Sequence, residues 1–314
     1  MPLRVAVQMD PMESINIAGD STFAIMLAAQ QRGHVLYHYL APHLSYSDGR
    51  VRAHARPVSV RHQHGDHFDH GEWLTIDLVD DVDVVLMRQD PPFDLSYITA
   101  THLLERVQPH TLVVNDPASV RNAPEKLFVL DYAEFMPPTL ITRSLEETRA
   151  FQAEHGDIVV KPLYGNAGSA VFKIGRDGNN LSALTELFNH VWVEPFMVQA
   201  FLPQVAEGDK RIVLIDGKAT GAINRVPGQG EIRSNLAAGG TALATDLTDR
   251  EREICDALGP ELARRGLLFV GIDVIAGYLT EINVTSPTGI VAIDRFNGTD
   301  TPGIIWDAIE AKVA

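Results

Sequence analysis

Glu281-Ile282-Asn283-Val284-Thr285-Ser286-Pro287-Thr288-Gly289 follows closely on the apolar run Leu268-Phe269-Val270-Gly271-Ile272-Asp273-Val274-Ile275. Together these two stretches decide the reading of the chain. Asp273, Glu281 and Asn283 are oxygen ligands set into β-prone sequence, and such ligands suit Mg²⁺. An unpaired carboxylate inside a buried strand is costly, so the triplet requires a purpose. Side chains on a strand alternate with period two, which puts Glu281 and Asn283 on one face. If 270–275 and 278–283 form a hairpin, Asp273 joins that face only across an odd-length loop, and a loop of three residues is expected. Val270, Ile272, Val274 and Ile282 fill the opposite face, which would equally suit a strand with solvent-facing polar residues. The exit rich in hydroxyl and turn residues, Asn283 to Gly289, weighs against that plainer account.

The chain has 314 residues, more than one compact core usually holds, so two or three domains are expected. Hydrophobic content of 45% with 21% charged residues indicates a globular chain. A net charge of −15 argues against nucleic acid or an anionic membrane as a partner. The single cysteine, Cys255, rules out an intrachain disulfide. The N-terminus does not read as a signal peptide, and no apolar run has the length of a membrane span. A cytoplasmic protein is expected.

Strand and helix patterns alternate through the first third. Val5 to Met9 reads as a strand, Ser21 to Arg32 as a helix capped by Asp20 or Ser21, and His34 to Leu40 as a strand. Residues 44–60 read as a hairpin turning at Asp48-Gly49. Strands at 82–87 and 112–114 flank a helix near 96–107. This predicts an N-terminal α/β domain, 1–122, with a mostly parallel sheet. A helix is expected from Glu125 to Leu130, then a capping box of Ser144 with Glu147. Strands at 157–163, 170–174 and 196–201, with a helix near 181–190, make 123–200 a small α+β domain. The third unit, 201–314, is strand-rich up to a helix at 249–265 capped by Thr248 with Glu251. Pro227 to Gly240 is a long glycine-rich segment, the usual form of a functional lid.

Neither the P-loop pattern nor Gly-x-Gly-x-x-Gly is present. Lys161-Pro162-Leu163-Tyr164-Gly165-Asn166-Ala167-Gly168 instead puts a lysine at a strand end before a flexible turn. That arrangement suits a phosphate, although an exposed hairpin lysine would read the same way. Arg225, Arg233 and Asn235 lie in or beside the glycine-rich segment, where guanidinium groups can hold carboxylates or a developing oxyanion. Asp10 ends one strand, and Arg88 and Asp90 end another. Ligands bind at such carboxyl ends in open α/β sheets. His62, His64, His67 and His70 match no zinc pattern and read as a surface loop. Cys255 reads as a packed thiol within a helix.

The combined set resembles the prokaryotic glutathione synthetases of the ATP-grasp superfamily. The likeness rests on Met9-Asp10-Pro11 with Ile15-Asn16-Ile17, the segment Met87 to Pro92, Asn122 to Phe128, Lys161-Pro162-Leu163 and Gly208 to Arg211. It extends to Arg233 to Gly240, Phe269 to Asp273, and the opening stretch. The resemblance implies an ATP-grasp fold of three domains, with a small central lid domain and a C-terminal antiparallel sheet gripping ATP. It implies that Lys126 and Lys161 contact the ATP phosphates, that Arg211 contacts phosphate, and that Gly165, Asn166, Gly168 and Lys210 belong to the ATP-binding set. Gln199, Ala200, Phe201, Leu202 and Asp209 would line the adenine and ribose, and Asp273, Glu281 and Asn283 would hold Mg²⁺ or Mn²⁺. Arg211, Arg225, Arg233, Gly239 and Gly240 would be catalytic. Asp10, Asn16, Ser21, Arg88, Asp90, Asn235 and Ser286 would bind substrate.

The implied reaction is ATP-dependent joining of glycine to the cysteinyl carboxylate of γ-glutamylcysteine through an acyl phosphate, in a homotetramer. One departure stands out: relatives often carry Asp-Gly-Met-Gly-Gly where this chain has Tyr164-Gly165-Asn166-Ala167-Gly168. Another carboxylate–amine ligase and a nucleotide sensor without turnover are the competing readings. The intact metal triplet argues against the sensor.

Overall fold

The computed structural model describes residues 1–165, 168–236 and 239–314. The N-terminal unit contains β1 (Arg4–Gln8), α1 (Ser21–Gln31), β2 (Val35–Tyr39), β3 (Leu44–Ser47), β4 (Arg50–Val60), β5 (Phe68–His70) and β6 (Leu74–Asp77). It continues with β7 (Val84–Met87), α2 (Leu95–Glu105), β8 (Leu112–Val114) and α3 (Pro117–Arg121). Strands β2, β1, β7 and β8 run parallel in that order. Antiparallel β4 extends the sheet and carries β3, β5 and β6. The β3–β4 turn falls at Asp48-Gly49 as expected, both with positive φ, the conformation a two-residue hairpin turn needs. The central strands β1 and β7 are near-continuous runs of buried residues, as befits strands covered on both faces.

The second unit is a four-stranded antiparallel sheet, ordered β11-β10-β12-β9. Its elements are β9 (Thr139–Thr142), α4 (Leu145–His155), β10 (Ile158–Pro162), β11 (Phe172–Ile174), α5 (Leu181–Val191) and β12 (Phe196–Ala200). Phe188 of α5 packs on Phe196 and Trp192 to close its own small core. The capping box at Ser144 is half made. Ser144 accepts from Glu147 N, but the Glu147 carboxylate takes the Thr142 hydroxyl instead of the Ser144 amide.

The third unit contains β13 (Asp209–Ile215), β14 (Lys218–Val226), β15 (Thr241–Ala244), α6 (Asp249–Arg264), β16 (Phe269–Ile275) and β17 (Tyr278–Asn283). Helices α7 (Ile290–Asn297) and α8 (Thr301–Val313) follow. Its sheet is antiparallel throughout, ordered β15-β14-β13-β16-β17. The Thr248–Glu251 capping box of α6 is complete in both directions. Helix α8 packs back on α1, and Trp306 Nε1 donates to Ile25 O over 2.8 Å. Phe23, Ile25, Met26 and Ala29 of α1 are therefore all buried, which is why this helix has no polar stripe. The amide of Asn115, just past β8, bonds Phe269 O, Phe269 N and Val284 O, fastening the first sheet to the third. No described helix is long and apolar enough to cross a membrane.

The helix expected from Glu125 to Leu130 is not formed. A turn covers 125–127 and a 3₁₀ helix runs over Phe128–Phe135. Glu125 O accepts from Ile282 N at 3.1 Å, so the carbonyl an α-helix would use is spent on the edge of β17.

Candidate active site at the meeting of two clefts

The β16–β17 hairpin provides the anionic centre. Its strands join through two residues, Ala276 and Gly277, both with positive φ. This corrects the odd loop expected from parity. The odd residue sits in the strand instead. Pairing runs Ile275 with Tyr278 and Val274 with Leu279, skips Thr280, and resumes at Asp273 with Glu281. This β-bulge shifts the phase by one residue, and Thr280 Oγ1 donates to Asp273 O at 3.1 Å. Asp273 thus meets Glu281 across the hairpin, and Asn283 Nδ2 lies 3.4 Å from Asp273 Oδ2.

Neighbouring strands bring the cations. Alternation along β13 turns Asp209 and Arg211 to the site and Lys210 away from it. Arg211 grips Asp273 with two donors, Nε at 2.6 Å and Nη2 at 3.0 Å. Arg225 of β14 bridges Asp273 at 2.9 Å and Asp209 at 2.7 Å. All four groups are buried. Burial resists ionisation of Asp273, but Arg211 and Arg225 outweigh it and hold this carboxyl well below the usual range. Burial pushes Asp209 up to about 6 despite Arg225. Asp209 Oδ1 and Arg225 Nε have no hydrogen-bond partner among the described residues, which is costly unless a ligand supplies one.

Lys161 on β10 and Lys126 in the 125–127 turn approach Glu281 Oε1 at 3.5 and 3.6 Å. Lys126 also contacts Glu125 and donates to Gly165 O at 2.7 Å. Burial lowers Lys161, with Glu281 opposing. For Lys126 burial acts downward, but Glu281 and Glu125 win and raise it. Burial likewise disfavours a charged Glu281, yet the two lysines hold its carboxyl below the ordinary value. Glu125 is pushed up to about 7 by burial, with Glu281 adding to the shift.

Two clefts flank this charge cluster. The first, about 890 Å³ of space open to solvent, lies between the second and third sheets. Lys126, Lys161, Gly165, Gly168, the Gln199–Leu202 segment, Asp209 and Arg233 all line it. The second, about 920 Å³, is lined by Asp90, Arg211, Arg225, Asn283 and Ser286. Glu125, Asn235 and Glu281 belong to both. Ser234 Oγ donates to Asp209 Oδ2 at 2.8 Å and pins the 227–235 segment, which is free of helix and strand, over the first cleft.

Other sequence expectations need correction. Lys210, expected among the ATP-binding residues, lines neither cleft, and its Nζ bonds Asp246 O and Glu251 Oε2, both at 2.8 Å, at the start of α6. Arg88 is buried and donates from Nε to Thr22 Oγ1 and from Nη2 to Pro287 O, which ties the first sheet to the 285–289 loop. Arg233 lines the first cleft, beside Glu231, and not the second. Asp10, Asn16 and Ser21 line neither cleft. Asp10 accepts from Asp90 N, Asn16 from Ala18 N, and Ser21 from Gly289 N. Gly239 and Gly240 close a turn onto Leu236 O and Asn235 O. Asn166 falls outside the described residues.

Sequence reasoning passed over Glu125, Ser234 and Thr280. Only Glu125 carried a signal, its position beside Lys126 before an apolar run. In the histidine segment, His67 bonds Met12 O at 2.7 Å, His62 packs near Phe23, and His70 lies 3.2 Å from His38. No three His, Cys, Asp or Glu side chains converge to hold a metal among the described residues. The expected triplet of Asp273, Glu281 and Asn283 contains only two carboxylates, the third member being an amide. Cys255 is buried and its thiol is pushed up to about 12 by burial, as a packed residue would be.

Residues 3–121 match the family description "Prokaryotic glutathione synthetase, N-terminal domain", and residues 125–298 match "Prokaryotic glutathione synthetase, ATP-grasp domain". The chain is 58% identical over 314 residues to the glutathione synthetase of Rhodopseudomonas palustris, covering all of both chains. It is 54% identical to that of Mesorhizobium japonicum over 99% of each. Among solved structures, D-cycloserine synthetase DcsG superposes with a TM-score of 0.71 at 16% identity, over 99% of this chain and 100% of that one. D-alanyl-alanine synthetase A from Vibrio cholerae gives 0.61 at 14%, over 100% and 99%. At such identities the likeness concerns the fold.

Proposed function

The chain belongs to the prokaryotic glutathione synthetase family, and from that premise we propose how its two clefts divide the work. Its fold is an ATP-grasp, and it is an ATP-dependent ligase that forms glutathione from γ-glutamylcysteine and glycine, using a divalent metal. The first cleft takes ATP and the second takes the dipeptide and glycine. One observation carries this division: Glu125, Asn235 and Glu281 line both clefts, so a phosphoryl group at the inner end of one reaches a carboxylate in the other. The three domains are taken as 1–122, 123–200 and 201–314.

Lys126 and Lys161 neutralise the phosphates. Gln199 to Leu202 line the base and ribose region, and the unpartnered oxygen of Asp209 is free to accept a ribose hydroxyl. The donor set of Asp273, Glu281 and Asn283 fits Mg²⁺, a hard cation that prefers oxygen. A cation bound there would offset charge on the nucleotide phosphates. Three guanidinium contacts occupy most of the roughly four lone-pair sites of Asp273. Glu281 would therefore supply the larger share of the ligands to such a cation. Asn283 Nδ2 faces Asp273, leaving its amide oxygen as the available ligand atom.

The cysteinyl carboxylate attacks the γ-phosphorus of ATP, giving the acyl phosphate and ADP. The amine of glycine then attacks the acyl carbon, and collapse of the tetrahedral intermediate expels inorganic phosphate and leaves the amide. Arg211 and Arg225 face the second cleft and stabilise negative charge on that intermediate. Positioning and charge neutralisation suffice, and no protein nucleophile is involved. Mg²⁺ over Mn²⁺, a cytoplasmic location and a homotetramer complete the proposal. Light scattering on the eluting peak of a sizing column tests the last. For the reaction, phosphate release is followed with ATP, Mg²⁺, γ-glutamylcysteine and glycine, each omitted in turn. Glutathione forming only with all four supports the reading, and turnover indifferent to glycine would sink it.

A further inference from the structure

We infer that Tyr164, stacked on Phe93, walls off the acyl phosphate from water and so couples phosphate release to amide formation. The inference rests on the proposed division of the two clefts.

Tyr164 is a large aromatic residue left 38% exposed. Its ring lies parallel to that of Phe93, with centroids 6.3 Å apart and planes within 7°. Phe93 in turn rests on Tyr97, which is buried, with centroids 5.3 Å apart. The stack therefore joins Tyr164, just past β10, to a firmly held point of the first unit. At the next residue, Lys126 Nζ holds Gly165 O at 2.7 Å.

Tyr164 and Phe93 line neither main cleft. They wall a third, smaller cavity with about 20 Å³ of room, enough for roughly one water molecule. That cavity shares Glu125 and Gly165 with the nucleotide cleft, and Pro91 and Thr285 with the peptide cleft. It thus reaches the place where the two clefts meet. Water reaching the acyl phosphate there would regenerate the free carboxylate and release inorganic phosphate, with ATP already spent as ADP. Tyr164 is a positioning residue whose aromatic face, not its hydroxyl, does the shielding.

The test measures phosphate and glutathione in the same reaction. The enzymes are wild type, Tyr164→Ala, Tyr164→Phe, Phe93→Ala and the Tyr164→Ala/Phe93→Ala double variant. Wild type and Tyr164→Phe should release equal amounts of the two products. Each alanine variant should raise the ratio of phosphate to glutathione by roughly two- to tenfold, the range expected for loss of an aromatic pair. The double variant should match either single, because each breaks the same contact. A purely structural role would lower both products together and leave the ratio unchanged, which would overturn the inference. So would ratios that multiply in the double variant, or a raised ratio in Tyr164→Phe. A wild type that makes no glutathione would instead defeat the functional reading.

Discussion

Asp273→Asn keeps the shape of the central carboxyl and removes its charge. In the native site Asp273 and Asp209 balance Arg211 and Arg225, two negative against two positive, all buried. The substitution leaves an excess positive charge enclosed by protein. Asparagine can still accept from one guanidinium, but its amide nitrogen then faces the other donors. Breaking a buried pair in this way costs about 3–5 kcal/mol. Urea unfolding of the ligand-free protein, in a chelator to exclude metal, reads the loss. At a slope of about 3 kcal/mol per molar urea, the midpoint should fall by roughly 1 M or more. Adding Arg225→Met restores charge balance and should recover part of the loss, so the two substitutions will not be additive. A midpoint for Asp273→Asn indistinguishable from wild type would refute the view that this cluster is a charge-compensated core.

Lys210→Met should lower stability by about 1–2 kcal/mol through the lost contacts to Glu251 and Asp246 at the start of α6. It should leave the KM for ATP unchanged, and a raised KM in steady-state assays would restore Lys210 to the ATP-binding set. Gly168 has φ of +74°, and a Cβ there would lie 2.8 Å from Asn235 Oδ1. Gly168→Ala should cost about 1–2 kcal/mol locally and cut kcat while barely moving the melting temperature. Unchanged kcat would show that this turn need not pack against residues 233–235. Burial, with His70 adding, lowers His38 to about 4, while the Asp10 and Met9 carbonyls and Glu13 pull the other way. The unfolded chain protonates this histidine first, so stability should fall as pH drops from 6.5 toward 4, by about 3 kcal/mol. Unfolding of His38→Asn across that range should show a flatter profile, and an identical slope would dismiss the assignment.

Much of the site was legible because it follows the period-two rule of strands. Glu281 and Asn283 share a face, and Asp273 faces them, as parity required. The loop length is not legible, because Thr280 is a good strand residue and nothing in its identity marks the extra residue of a bulge. The same alternation, applied to β13, would have separated Lys210 from Asp209 and Arg211. Arg88 was placed correctly at a strand end. Its role was not legible, because Thr22 and Pro287 come from distant parts of the chain. Local signals fared well where they were self-contained, as with Thr248 and Glu251 or Asp48-Gly49. They failed at Glu125, whose backbone answers to Ile282 rather than to its own neighbours.

The packing of α8 on α1 sets a schedule for synthesis. Trp306 and Ile25 are 281 residues apart in sequence. At about 5–20 residues per second, the outer side of α1 waits roughly a quarter of a minute to a minute before its cover is made. For that interval a nascent chain with its first sheet already paired would present an uncovered apolar helix to the surrounding medium. The interval also means that release of residues 301–313, and not completion of the first 122, is the event that seals the N-terminal layer.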